Sequence, residues 1–246
     1  MNILITNDDG FEAEGIRALT AFAKRLGKVT VVAPKVEQSG RSHAIDFKSQ
    51  IEIKKIDFPE ADEAYYVDST PADCVRFAVI GLEKKYDLVL SGINRGVNLG
   101  IDISYSGTAG AIFEAGRLGM HGIALSTYPD TLADATPYLD TVYSFLTENR
   151  LFDKTPIYNV NIPPHPKSII ITKQGSPYFS DEFVRMEGDM YMQMGSKIPD
   201  ISPEDLTRDT VALEAGYISV MPLSTTRTDM QVFEEIKHLS NKTPLS

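Results

Sequence analysis

The chain has one cysteine, no tryptophan and no excess of basic residues, and each shortage removes a class of protein. With Cys74 alone an intramolecular disulfide is impossible, so a core rather than cross-links must hold the fold. Lys and Arg number 24 against 34 Asp and Glu, a formal net charge of -10. That balance argues against a nucleic-acid polymer as partner, because such binding rests on a basic surface. A small phosphorylated ligand stays compatible if a cation or a few local basic groups offset its charge. No run is apolar for long enough to span a bilayer. The opening run Asn2 to Thr6 has neither the basic region nor the cleavage site of a secretory signal, so a cytoplasmic protein with no membrane partner is expected. Internal repeats and low-complexity segments are also missing.

What is present is an ordinary globular composition, 42% hydrophobic and 24% charged, in 246 residues, long enough to bury a substantial core. The first half alternates strand and helix patterns. Ile3 to Thr6 is a short buried run, Ile16, Leu19, Phe22, Ala23 and Leu26 recur at helical spacing until Gly27, and Val29 to Ala33 is a second buried run. This is a βαβ unit, which implies parallel pairing with a right-handed crossover. Weaker strands are predicted at 51–56 and 64–67, a helix from Pro71 through Leu82, a third buried strand at 87–91, a helix at 108–118, a strand at 123–127 and a helix at 135–148. The pattern predicts an α/β fold: a Rossmann-like, open, mostly parallel sheet with helices on both faces.

After about residue 149 the character changes, with strand-like runs at 156–162, 168–172 and 211–221. Between the last two lies a Gly- and Pro-punctuated stretch, 175–203, carrying Tyr178, Phe179, Tyr191, Met192 and Met194. It reads equally as a long mobile loop or as an extended hairpin that packs on another subunit. A helical tail is predicted at 230–239. The chain is taken as a single domain, 1–246, made of a core at about 1–149 and C-terminal strands, hairpin and tail at about 150–246.

In such a sheet ligands bind beyond the carboxyl ends of the strands, near the point where strand order reverses. Asn7-Asp8-Asp9-Gly10 stands at the first of these tips. A strand-to-turn bend followed by glycine can aim both carboxylates at one point, where they repel unless a cation or proton sits between them. Oxygen ligands of this kind suit Mg²⁺, Mn²⁺ or Ca²⁺ rather than zinc. The competing reading is that one aspartate only caps the next helix. Asn94, in Ser91-Gly92-Ile93-Asn94-Arg95-Gly96-Val97-Asn98, can offer a neutral oxygen to a hard cation, though Asn and Gly are also ordinary turn formers. Tyr105-Ser106-Gly107-Thr108 precedes a predicted helix, so its hydroxyls and N–H groups can hold a phosphate or merely cap the helix. Glu37 to His43 supplies hydroxyls and a base suited to ligand contact, while Ser39 lacks a nucleophile-elbow context. Cys74 after Pro71 reads as a buried apolar residue at a helix start, and the four histidines have no metal-ligand spacing.

Taken together and in order, Asn7-Asp8-Asp9-Gly10, Ser39-Gly40, Ser91-Gly92-Ile93-Asn94 with Gly96 and Asn98, and Ser106-Gly107-Thr108 resemble the SurE family of 5'/3'-nucleotidases. Thr172-Lys173-Gln174-Gly175 and Gly216-Tyr217-Ile218-Ser219-Val220 with Pro222 extend the resemblance over nearly the whole chain. The resemblance implies one divalent cation per subunit, Mg²⁺ or Mn²⁺ with Ca²⁺ as a possible occupant, held by Asp8, Asp9, Ser39 and Asn94. It implies that Asn98 and the Ser106, Gly107 and Thr108 turn hold phosphate, that nucleoside 5'- and 3'-monophosphates are hydrolysed, and that homodimers or homotetramers form partly through an exchanged C-terminal hairpin. His43, Ala44, Ser69 and Ala109 depart from the family pattern and bear on substrate preference.

On this reading Asp8 and Asp9 are the catalytic pair, Asp9 in particular orienting or deprotonating the attacking water. Arg41 and Arg95 are outer phosphate contacts by sequence proximity. The rivals are a phosphatase working through an aspartyl-phosphate, a cation-gated module without catalysis, and a dinucleotide oxidoreductase. The last lacks G-x-G-x-x-G after its first strand.

Overall fold

The computed structural model describes residues 1–239. Its strands are β1 (Asn2–Thr6), β2 (Lys28–Pro34), β3 (Ile53–Lys55), β4 (Glu63–Val67), β5 (Leu88–Arg95), β6 (His121–Thr127), β7 (Ile157–Ile162), β8 (Ile169–Ile171), β9 (Glu182–Arg185), β10 (Tyr191–Met194) and β11 (Ile218–Leu223). The helices are α1 (Glu14–Ala23), α2 (Pro71–Arg76), α3 (Gly107–Arg117), α4 (Leu132–Ala135), α5 (Leu139–Glu148), α6 (Asp209–Glu214) and α7 (Met230–Ile236). The main sheet has the order β3-β4-β2-β1-β5-β6-β7-β11-β8. From β4 to β7 all pairings are parallel, while β3 and β11 run antiparallel to β4 and β7. From β1 the chain steps outward through β2 and then returns to β5 on the other side, so strand order reverses between β1 and β5. This is the expected Rossmann-like open sheet, and its switch point lies at the tip of the first strand.

Side-chain alternation along β1 divides the core into two layers. Ile3 and Ile5 pack with Ile16 and Leu19 of α1 and with Leu139, Val142 and Leu146 of α5. Leu4 packs on the opposite face with Cys74 and Val75 of α2 and Ala111 and Ala115 of α3. A strand covered on both faces favours apolar residues at nearly every position, hence the run Ile3-Leu4-Ile5 of β1 and the run Val29 to Ala33 of β2, interrupted only by the buried Thr30. Cys74 lies in this core as expected, and burial pushes its thiol well up.

Three expectations need correction. The predicted strand at 211–221 is α6 followed by β11, because the run Val211-Ala212-Leu213 is short and apolar and carries no period that separates a helix from a strand. Gly216, at φ +82°, provides the left-handed turn between them. The helix predicted from Pro71 is α-helical only to Arg76 and widens to a π-helix over Phe77–Gly81. The helix at 135–148 is broken by a 3₁₀ turn over Thr136–Tyr138, where Pro137 removes a backbone donor.

Within the 175–203 stretch β9 and β10 form a two-stranded antiparallel hairpin that does not join the main sheet. Phe183, Met190, Tyr191 and Met192 on or beside it are exposed. Of the two readings of this stretch, the hairpin is the one the structure has. The helical tail forms as α7 and a 3₁₀ turn over Lys237–Leu239. No helix among the described residues is long and apolar enough to cross a membrane.

Candidate functional site

Register brings the two key tips together. Thr6 of β1 lies opposite Ser91 of β5, so Asn7 to Gly10 leave the sheet beside Gly92 to Asn94. The β5 and β6 register slips between Ser91 and Asn94, so Gly92 and Ile93 bulge and the ladder resumes at Asn94, opposite Ser126. Gly92 makes this possible: its φ is +133°, and a Cβ there would stand 2.2 Å from the Leu125 carbonyl oxygen. Asn94 donates its side-chain N–H to the Gly96 carbonyl at 2.7 Å, leaving its side-chain oxygen without a hydrogen-bond partner among the described residues.

Asp8 is 5% exposed. Its Oδ1 accepts the Thr108 hydroxyl at 2.6 Å and its Oδ2 accepts the Thr108 backbone N–H at 3.0 Å. Helix α3 starts against this carboxylate, and a Cβ on Gly107 would lie 3.0 Å from both Cβ and Oδ2 of Asp8. Asp9 accepts the Arg95 backbone N–H at 3.2 Å through Oδ2. The β2 tip is fastened to the same place, because the Gln38 N–H donates to the Asp8 carbonyl at 2.7 Å. Ser39 next to it donates its hydroxyl to Glu37 at 2.6 Å. Neither aspartate caps α1, whose N-cap is Ala13 with no side-chain cap bond, so that competing reading fails.

These tips border a cleft of about 360 Å³ that brings together Asp8, Asp9, Ser39, Asn94, Asn98 and Ser106. Gly107 and Thr108 do not line it: Thr108 is fully buried, and both its donors are engaged by Asp8. Ser106 lines the cleft and also caps α3, accepting the Ala109 N–H at 3.0 Å. Asn98 is held from below. Its N–H donates to Asn161 Oδ1 and its Nδ2 to the Ser126 hydroxyl, both at 2.8 Å. Its carbonyl accepts from the Asn159 and Asn161 amides.

The electrostatics are one-sided. Glu37, Asp102 and Asp181 join Asp8 and Asp9 in the lining, against a single cation, Arg95. Burial pushes the Asp8 carboxyl up to about 6, with Asp9 adding to the rise and the Thr108 hydrogen bonds opposing it. Asp9 is raised as well, by burial first and by Glu37. An acidic cleft of this kind favours a proton or a cation.

Sequence reasoning did not place Asp102, Phe179 and Asp181 in the site, although Phe179 stood out among the apolar residues of the 175–203 stretch. Asp102 Oδ2 accepts the Tyr178 and Phe179 N–H groups at 2.8 and 3.0 Å and so fastens the base of the hairpin beside the cleft. Its position inside the loop after β5 was the available signal. Phe179 and Asp181 come from a distant part of the chain and leave no local trace. The pairing of Asn159 with Asn161 on one face of a buried strand could have marked the Asn98 support. Arg41 does not reach the cleft, Arg95 does, and His43 faces an adjoining cavity.

Fold and site together define a class: an α/β protein with an acidic cleft at the switch point of an open sheet, between paired carboxylates and a helix start. The family model described as "Survival protein SurE" matches residues 3–181, and the chain belongs to the SurE family. It is 36% identical to the protein named 5'-nucleotidase SurE of Thermosipho melanesiensis over 96% of each chain. It is 37% identical to that of Pelotomaculum thermopropionicum, over 97% of this chain and 95% of the other. The crystal structure of the SurE protein from Aquifex aeolicus superposes with a TM-score of 0.79 at 34% identity, covering 98% of this chain and all of that one.

Proposed function

We propose that the protein is a metal-dependent phosphomonoesterase that hydrolyses nucleoside 5'- and 3'-monophosphates to nucleoside and phosphate. The observation that carries this reading is the convergence of Asp8, Asp9, Ser39, Asn94, Asn98 and Ser106 on one cleft at the switch point. The relatives' name, 5'-nucleotidase, supports the nucleotide part.

The donor set fits a hard divalent cation, Mg²⁺ or Mn²⁺. Asp8 and Asp9 are adjacent carboxylates, both raised by burial, so a cation relieves their desolvation and mutual repulsion. The Asn94 oxygen has no hydrogen-bond partner among the described residues, and Ser39 adds a neutral oxygen from the loop after β2. Asp8, Asp9, Ser39 and Asn94 would hold the ion, which when bound supplies charge neutralisation at phosphorus and acidifies water.

The chain's own residues do the rest. Thr108 fixes Asp8 through both oxygens, so its orientation is set before substrate arrives. Asp9 is anchored through one oxygen only, and the other is free to accept a proton from the attacking water. Ser106 and Asn98 present a helix start and an amide to the phosphoryl oxygens, where charge develops as the ester P–O bond breaks and the leaving oxygen takes up a proton. The reading extends to a cytoplasmic homodimer or homotetramer, in which the exposed apolar side chains of the β9 and β10 hairpin meet a second copy.

A phosphate-release panel over 5'- and 3'-monophosphates, with Mg²⁺, with Mn²⁺ and with chelator, tests the proposal. Release that needs the ion and disappears in Asp8→Asn and Asp9→Asn supports it. Release that ignores the ion, or survives in both variants, contradicts it.

A further inference from the structure

A second cavity, of about 640 Å³, lies behind the wall of the acidic cleft, and Ser106 lines both. The wall is firm. The Ser42 N–H donates to the Tyr105 carbonyl at 3.0 Å, and the Ser42 hydroxyl donates to the Ser104 carbonyl at 2.6 Å. On the far side α3 packs so closely that a Cβ on Gly110 would stand 2.1 Å from the Ser42 carbonyl oxygen. Ser106, common to both linings, is where a phosphate held in the cleft adjoins this cavity.

The two spaces differ in charge. Among the described residues five carboxylates line the cleft and none lines the cavity, whose lining has Lys173, Arg227 and His43 instead. Lys173 is paired with Asp205 at 2.9 Å, whereas Arg227 has no ion pair among the described residues. The remaining lining is mixed. Ile103, Phe113, Met221 and Leu223 provide an apolar side, with the His43 ring stacked on Phe113 at a centroid distance of 6.2 Å. Ser42 and Thr172 bring hydroxyls, and Gln174, whose Nε2 donates to the Gly100 carbonyl, keeps its oxygen available. Size and lining suit a nucleoside: a flat base against the apolar side and a ribose among the hydroxyls. A neutral nucleoside has no use for Arg227 and Lys173. A second phosphate does, because a guanidinium offers it two parallel N–H donors and an ammonium a point charge.

We propose that this cavity binds the nucleoside portion of the substrate and that Arg227, aided by Lys173, selects nucleotides carrying a second phosphate, the class of nucleoside 3',5'-bisphosphates. The inference rests on the nucleotidase reading for which phosphate is cleaved, but the cavity's hold on the phosphate that is not cleaved stands on its own lining. In the reaction, water adds to the phosphorus in the acidic cleft, that ester bond breaks, and a proton goes to the leaving ribose oxygen. The products are inorganic phosphate and a nucleoside monophosphate whose remaining phosphate stays against Arg227.

The test compares initial rates of phosphate release from adenosine 3',5'-bisphosphate and adenosine 5'-monophosphate by the full chain and by Arg227→Gln. The kcat/KM ratio of bisphosphate to monophosphate should be about tenfold in the wild type and fall to near unity in the variant, a change of ~1.4 kcal/mol. The preference should also shrink as salt rises. A ratio near unity in the wild type, or one that Arg227→Gln leaves unchanged, overturns the inference while the nucleotidase reading survives. If neither nucleotide is hydrolysed, that reading fails, and calorimetric titration of adenosine 3',5'-bisphosphate without divalent ion still decides the inference. Dissociation constants about tenfold apart between wild type and Arg227→Gln support it, and equal constants overturn it.

Discussion

Two carboxylates are almost fully buried in the region of α3, Asp8 at 5% exposure in the cleft and Glu114 at 2% beneath the adjoining cavity, and their surroundings are opposite. Glu114 accepts from Arg76 at 3.0 Å, from Arg117 at 2.6 and 2.9 Å, and is paired with His43 at 2.9 Å. Burial pushes its carboxyl up, but hydrogen bonds from His43, Arg117 and Arg76 more than offset this and hold it at about 2. Asp8 has only the Thr108 hydroxyl and N–H, with Asp9 beside it, and stands at about 6. The protein satisfies the charge of Glu114 by itself and leaves that of Asp8 wanting. A buried acid with its cations built in holds the fold together. One without them, in a cleft lined by further carboxylates, is where the proposed cation would come from outside.

The contrast yields effects of decreasing size. Asp8→Asn or Asp9→Asn should cut ion-dependent phosphate release at least about a thousandfold with little loss of thermal stability, since the role is chemical. Comparable rates would erase the distinction between the two acids. Glu114→Ala should do the reverse, lowering stability by about 3 kcal/mol because Arg76, Arg117 and His43 lose their common partner, measured as a drop in urea midpoint.

The pH dependence of the ion-free protein should carry opposite signs for the two acids. Glu114, lowered from 4.5 to about 2, contributes stability that is complete above pH 4.5 and lost as pH falls through about 2. Asp8, raised from 3.8 to about 6, contributes stability that is complete below pH 3.8 and lost as pH rises through about 6, roughly 3 kcal/mol at 1.36 kcal/mol per pH unit. Urea unfolding between pH 2 and 7, without and with Mg²⁺, reads this out, and bound ion should remove the loss that belongs to Asp8. The smallest effect belongs to Thr108→Val, which takes one hydrogen bond from Asp8 and should cost about 1–3 kcal/mol. It should also weaken ion binding, whereas a purely capping role for Thr108 would leave ion affinity unchanged.

Much of this was legible in the sequence where a local pattern coincided with a rule of the fold. Asp8, Asp9 and Asn94 sit at the ends of apolar runs, so reading the strands placed them at the ligand end of the sheet. Ser39 and Asn98 were likewise placed in loops that follow buried strands, but their roles as metal and phosphate contacts came only through the resemblance to the SurE family; both line the cleft. Thr108 was read as facing phosphate. The helix start turns its donors to Asp8 instead, a matter of a few degrees of rotation that no residue spacing encodes. The Glu114 cluster was invisible because its members come from three segments that meet only in the folded chain. The same holds for Phe179 and Asp181. The misreading of 211–221 had another cause: a short apolar run buried on all sides has no period to read.

The central claim is that the acidic cleft takes a divalent cation through Asp8, and a Mn²⁺ titration followed by electron paramagnetic resonance at pH 7.5 and pH 5 tests it most directly. The account predicts one bound ion per chain at pH 7.5, markedly weaker binding at pH 5 where Asp8 is protonated, and no binding at either pH in Asp8→Asn. Wild-type affinity in Asp8→Asn, or binding at pH 5 as tight as at pH 7.5, would contradict it.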